Sequence, residues 1–125
     1  MSREAEVRFH ADQEISKSFP ALIEKARQAE AVVHELRTAA APEVELHAAG
    51  LLLDKALTDA LRAAEAGQRA MFGVKAYDDR IARRKAKATP DGARWTFEVE
   101  QLRTLREENR LTGIPRLPRP VPAAR

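Results

Sequence analysis

Leucine and alanine recur at helical spacing between residues 43 and 66. Leu46, Ala49, Leu53, Leu57, Ala60, Leu61 and Ala64 share one face, and Asp54, Lys55, Thr58, Asp59, Arg62 and Glu65 share the other. That is the signature of an amphipathic helix with one buried side. The first half of the segment departs from it. Val44, Leu51 and Leu52 lie off the main stripe, so this half is apolar nearly all round. The pattern predicts cover from more than one side, supplied by residues 3–17, by the C-terminal half or by another chain.

A second helix is predicted over residues 20–37. Leu22, Ala26, Ala29, Val33 and Leu36 follow a 4-3-4-3 spacing, a coiled-coil-like seam in which the alanines permit close approach. Ser18 is the expected N-cap, Pro20 suits the first turn, and the run ending at Pro42 breaks the helix. With residues 43–66 this makes an antiparallel helical hairpin. Ahead of it, Val7, Ala11 and Ile15 draw a thin apolar stripe along a short helix over 3–17. So narrow a stripe must dock or fray.

Beyond the hairpin the pattern is interrupted. Gly67 and Gly73 bracket "GQRAMFGV", which predicts a hinge or loop at 67–74, with Met71 and Phe72 plugging the end of the hairpin core. Residues 75–87 read as a basic helix, with Tyr77, Ile81 and Ala88 on its inward side, and "TPDG" at 89–92 reads as a turn. The segment "RWTFEVE" fits a strand, by alternation of Trp95, Phe97 and Val99. It also fits a helix, with Trp95, Val99, Leu102 and Leu105 in one stripe. No second strand is visible to pair with it, and a lone strand is unstable. The expectation is therefore a helix over 93–112, with Gly113 after it and Pro115 as the stop. Phe97 and Leu111 then need cover from elsewhere.

The expected fold is all-α: a helical hairpin, two further C-terminal helices, and an extended Pro-rich tail, as one domain over 1–112 with the tail at 113–125. Composition agrees. Of the 125 residues 33% are charged and 5% aromatic, with few glycines, a mixture that favours helices over sandwiches and barrels. There is no cysteine, hence no disulfide framework and no thiolate chemistry. The charged start and the absence of a long apolar run predict neither a secretory signal nor a membrane span, which fits the cytoplasm or a particle assembled there.

Charge is divided along the chain. Residues 1–66 carry eight Lys/Arg against twelve Asp/Glu, a net −4; residues 67–125 carry fourteen against seven, a net +7. An acidic front and a basic back can meet two partners, or further copies of the chain head to tail.

Catalytic and metal signals are weak. His10 with Glu14, and Glu43 with His47, are spaced to share a helix face, but neither pair brings a third ligand, and His34 stands alone beside Glu35. Surface histidines with electrostatic partners are the plainer reading. No glycine spacing matches a phosphate loop, and the adjacent Asp78 and Asp79 face different ways on a helix. The expectation is a protein that is not an enzyme and takes no cofactor or metal.

Two basic segments carry more information. Lys75, Arg80, Arg83, Arg84 and Lys87 fall within thirteen residues, and the last four cluster on one helical face able to contact phosphates. A solvated face is the ordinary alternative. In the tail, Pro115, Pro118, Pro120 and Pro122 favour a polyproline II course. Ile114, Leu117, Pro118 and Val121, with Arg116 and Arg119, would then dock in a groove on another protein, whereas an unstructured end is the plainer reading. Together these features predict a structural or adaptor subunit of a larger assembly, partnered by another protein or by its own copies. Ring-forming head–tail connection proteins and other small virion components have this general build, an analogy of architecture alone. The alternative is a helical protein that binds nucleic acid through residues 75–87.

Overall fold

Five α-helices, α1 (Arg3–Ser16), α2 (Phe19–Thr38), α3 (Glu43–Phe72), α4 (Arg80–Lys87) and α5 (Pro90–Glu108), make up most of the chain. This computed structural model describes residues 2–113, among which there is no strand, so the fold is all-α. The central element is α3, against which α1, α2 and α5 all pack. Its predicted stripe is the core. Ala49, Leu53, Leu57, Ala60, Leu61 and Ala64 are buried with Ala26 and Val33 of α2 and Val99 and Leu102 of α5. Leu22, Ala29 and Leu36 of the α2 seam, with Trp95 and Leu105 of α5, pack around that centre. Alanines at the contacts bring the helix axes close, which compensates for the scarcity of large side chains.

The helix α3 is longer than its pattern predicts. It runs through Gly67 without a break and ends only at Gly73, whose φ of 92° is open to glycine alone. Gly67 stays in the helix because the Trp95 indole lies against it. A Cβ at residue 67 would sit 2.5 Å from the ring. The glycine is a packing notch, and the expected hinge at 67–74 is not formed. Phe72 is half-buried, but Met71 points outward rather than plugging the core.

The first helix docks on a different face from the predicted one. Val7 and Ile15 are exposed, while Ala5 and Asp12 are buried. The apolar stripe lost because Asp12 has a stronger reason to point inward: its carboxylate meets the Arg69 guanidinium and the Tyr77 hydroxyl. Ser2 caps this helix by accepting from the Ala5 amide at 3.0 Å. Ser18 makes no such cap for α2; its hydroxyl donates back to the Ile15 carbonyl.

Downstream, the predicted helix over 75–87 divides in two. Val74–Tyr77 forms a short 3-10 turn, and α4 begins at Arg80 because Asp79 caps it, accepting from the amides of Ile81 and Ala82 at 2.9 and 3.2 Å. "TPDG" is a helix start rather than a turn. Thr89 accepts from the Gly92 amide, Pro90 fills the first position, and Asp91 sits in the first turn, where carboxylates are favoured. The helical choice for residues 93–112 holds over most of its length. After Glu108 the backbone widens into a π turn, Asn109–Gly113. There the buried Asn109 donates its Nδ2 to the Gly50 carbonyl at 3.0 Å, and Arg110 pairs with Asp54.

Helix α2 ends in a Schellman arrangement. The Ala41 amide donates to the Leu36 carbonyl and the Ala40 amide to the Arg37 carbonyl. Ala40 takes the left-handed position, φ 51°, which glycine fills at no steric cost. Ala40→Gly is therefore expected to stabilise the fold by about 0.5–1 kcal/mol, the relief of strain exceeding the added unfolded-state entropy. Thermal unfolding measures it as a rise of a few degrees. A lower midpoint would show that no strain resides there.

Candidate functional site

Two surfaces stand out, and the first is the back of α3. By helical spacing Val44, Ala48, Leu51 and Leu52 lie on the side opposite Leu53 and Leu57. They are open to solvent: Val44 is 81% exposed, Leu52 67% and Leu51 50%. The extra cover that the sequence demands for this half is not supplied by residues 3–17, since α1 packs toward the other end of α3, where Asp12 reaches Arg69. Nor is it supplied by the described residues of the C-terminal half. The π turn grips α3 at Gly50 and Asp54, yet leaves its own Leu111 exposed. Phe97, on the outer side of α5, is likewise uncovered. Isolated exposed leucines are common; a run of four apolar positions along one helix face is the kind of patch that marks contact with another molecule.

The second surface is the basic end formed by α4 and its neighbours. Arg80, Arg83, Arg84 and Lys87 are exposed on α4, as expected, together with Lys85. Lys75 belongs to the preceding 3-10 turn, separated from them by Asp78 and the capping Asp79. Of the expected inward side, Tyr77 is half-buried and turns in toward Asp12, whereas Ile81 and Ala88 are exposed; the half-buried residues of α4 are Ala82 and Ala86. Arg83 differs from its neighbours. Its Nη1 donates to the Ala76 carbonyl at 2.8 Å, which turns it back toward the 3-10 turn. Among the described residues no carboxylate lies within ion-pair distance of these five cations.

Elsewhere the two charged halves do meet within the chain. Asp12 pairs with Arg69, Asp54 with Arg110 at 3.0 Å, and Glu65 with Arg103 at 2.8 Å. Part of the predicted opposition of acidic front and basic back is thus satisfied internally. Among the described cations of the basic half, most of those without a carboxylate partner lie on α4.

Sequence reasoning missed the cluster around Asp12. Arg69 holds the carboxylate with two parallel bonds, Nε to Oδ2 at 2.9 Å and Nη2 to Oδ1 at 3.1 Å, and the Tyr77 hydroxyl donates to Oδ2. Burial alone would push the Asp12 carboxyl up. The Arg69 and Tyr77 hydrogen bonds outweigh it and hold the carboxyl below its ordinary range. Burial, with the carboxylate beside it, pushes the Tyr77 phenol well above its usual value, so it stays a donor. Arg8 lies over the Tyr77 ring, 5.4 Å from its centre, and Phe9 meets the same ring edge-on. No local signal could have found this group, because its members are separated by 57 and 65 residues.

The histidines do not converge. His10 bonds the Gln13 side chain rather than Glu14, and His34 and His47 are surface residues. Among the described residues no three His, Cys, Asp or Glu side chains gather as a metal site, and no helix is long and apolar enough to cross a membrane. The expected tail contacts of Ile114, Arg116, Leu117, Pro118, Arg119 and Val121 lie outside the described residues. Compared with known proteins, the chain matches no family model, no curated protein and no solved structure.

Proposed function

We propose that this chain is a non-enzymatic structural or adaptor subunit that assembles with further copies of itself, the basic tail of one copy lying on the exposed α3 face of the next. The observation that carries the reading is the apolar row Val44, Ala48, Leu51 and Leu52, uncovered on the side of α3 opposite the core. Its chemistry complements the tail. The row begins beside Glu43 and Glu45, and the tail interleaves Ile114, Leu117 and Val121 with Arg116 and Arg119. A proline-rich strand loses little entropy on docking, which suits it to a shallow apolar groove. Self-assembly through a head-to-tail contact yields rings or filaments according to whether the rotation closes.

Mass in solution tests this. The full chain is expected to run as multiples of 13.9 kDa. Leu51→Glu/Leu52→Glu, which places two charges on the apolar row, is expected to leave a folded monomer, and so is a chain ending at Thr112. A full-length monomer at about 100 μM, a concentration that captures even weak contacts, overturns the reading. So does an oligomer indifferent to both changes.

A second reading, contact with nucleic acid, is supported by one observation: Arg80, Arg84, Lys85 and Lys87 have no carboxylate partner among the described residues. Such a face would add affinity that falls with salt and carries no base specificity.

A further inference from the structure

Arg8 of α1, Arg69 of α3 and Arg83 of α4 converge on one cavity of about 100 Å³, whose remaining walls are Phe72, Ala76 and Tyr77. Three guanidinium groups from three separate helices repel one another; Asp12 offsets them through its direct contact with Arg69, and Glu65 acts on Arg69 from further away. Each is nevertheless held in place by a partner of its own. Arg69 is fixed by the Asp12 carboxylate, Arg83 by the Ala76 carbonyl, and Arg8 by the Tyr77 ring. None of these contacts exhausts its arginine. A guanidinium has five N–H donors; Arg69 uses two and Arg83 one. The result is a set of oriented guanidinium groups with spare donors around a small opening, walled on one side by Phe72 and Tyr77.

We propose that this cavity binds a phosphate group as its dianion, either inorganic phosphate or a terminal phosphate monoester. The charge fits: three arginines and one carboxylate leave +2, against about −1.5 to −2 for a monoester and −1 for a diester. The shape fits as well. A carboxylate presents its acceptor sites in one plane, whereas a tetrahedral oxyanion accepts from several directions at once. The volume of about 100 Å³ leaves room for one oxyanion. The rest of a larger ligand would lie outside, toward α4. The site stands apart from the assembly reading, and a chain that fails to self-associate can still bind there.

Calorimetric titration of the full chain with inorganic phosphate, at constant ionic strength, tests the proposal. Saturable binding with one site per chain is expected. Arg8→Gln and Arg83→Gln are each expected to weaken it at least tenfold, and Arg84→Gln, on the outer face of α4, less than twofold. Circular dichroism should show all three variants folded, because none removes a core contact. Absence of saturable binding at about 10 mM phosphate, a weak-ligand limit, overturns the site. Equal losses in all three variants overturn it too, since they would mark a general attraction to positive charge. A parallel arm separates the sources. If a 5′-phosphorylated oligonucleotide binds at least tenfold more tightly than inorganic phosphate, and the gain vanishes without the 5′ phosphate or with Arg8→Gln, the ligand is a terminal phosphate on a larger molecule. If the gain is absent, the ligand is the free ion. An oligonucleotide that binds equally well without its 5′ phosphate and with Arg8→Gln, while inorganic phosphate does not bind, overturns the cavity and favours backbone contact along α4.

Discussion

Trp95→Ala is expected to destabilise the fold by about 3 kcal/mol, toward the lower end of the range for a large aromatic in a core because the indole is only half-buried. Thermal unfolding would show this as a midpoint lowered by roughly 10 °C. The indole joins three elements. It abuts the notch at Gly67 of α3 with the outer edge of its six-membered ring, meets Phe19 of α2 edge-on with centroids 5.5 Å apart, and belongs to the stripe that carries Val99 and Leu102 into the core. The notch makes a sharper test. Gly67→Ala gains about 1 kcal/mol of helix propensity, but its Cβ would come within 2.5 to 2.9 Å of three ring carbons. The ring is rigid and braced by Phe19, so overpacking wins, and a net loss of roughly 1–2 kcal/mol is expected. In the Trp95→Ala background the obstacle is gone, and the same change should stabilise. That reversal of sign is the coupling a double-mutant cycle reads. Gly67→Ala stabilising the parent would mean that the indole does not rest on α3.

The same notch shows why part of the fold was hidden in the sequence. The helical stripes of α2, α3 and α5 were legible because each is repeated over several turns, and burial of a repeated face dominates local preference. Gly67 read as a break because glycine is a poor helix former. The reason it is tolerated, an indole 28 residues further on, has no local trace. The docked face of α1 was unreadable for a related reason. Its apolar stripe is thin, so a single buried ion pair to Asp12 outweighs Val7 and Ile15. Capping chemistry was legible but misassigned: Asp79 and the Thr89–Pro90 pair are start signals for α4 and α5, and were read as helix interior and as turn.

Of the candidate sites, the exposed back of α3 was visible as an excess of apolar positions, because surplus is countable without knowing partners. The α4 cations were visible as a run. The cavity was not visible, since Arg8, Arg69 and Arg83 come from separate helices and only the packing of α1 and α4 on α3 unites them. Arg83 is the hinge between the two surfaces. Counted with the run, it is one cation among five; turned by the Ala76 carbonyl, it belongs to the cavity.

Asp12→Ala is expected to cost about 2–3 kcal/mol, because it strips both Arg69 and Tyr77 of their acceptor at once. The figure is below that for a fully buried pair, since Arg69 is half-exposed and water can take over part of its bonding. Asp12→Asn should cost less at neutral pH, keeping one acceptor oxygen while losing the charge. The pH dependence separates charge from shape. The folded-state carboxyl lies below its ordinary value of about 4. Its contribution is therefore complete above the unfolded value and is withdrawn as pH falls through the folded one. Urea midpoints of the parent and of Asp12→Asn should differ most near neutral pH and converge as pH falls through the folded-state value. A gap that stays constant with pH would mean that the carboxylate is not paired in the folded state. On the alkaline side the sign reverses for Tyr77. Its phenol is raised, so its donation to Asp12 stabilises the fold below the ordinary tyrosine value of about 10 and is lost only as pH climbs through the folded value. The parent should accordingly remain more stable than Tyr77→Phe beyond about pH 10. Because Arg69 is oriented by the same carboxylate, Asp12→Ala should also loosen one wall of the arginine cavity, which links the fold's buried ion pair to the surface it supports.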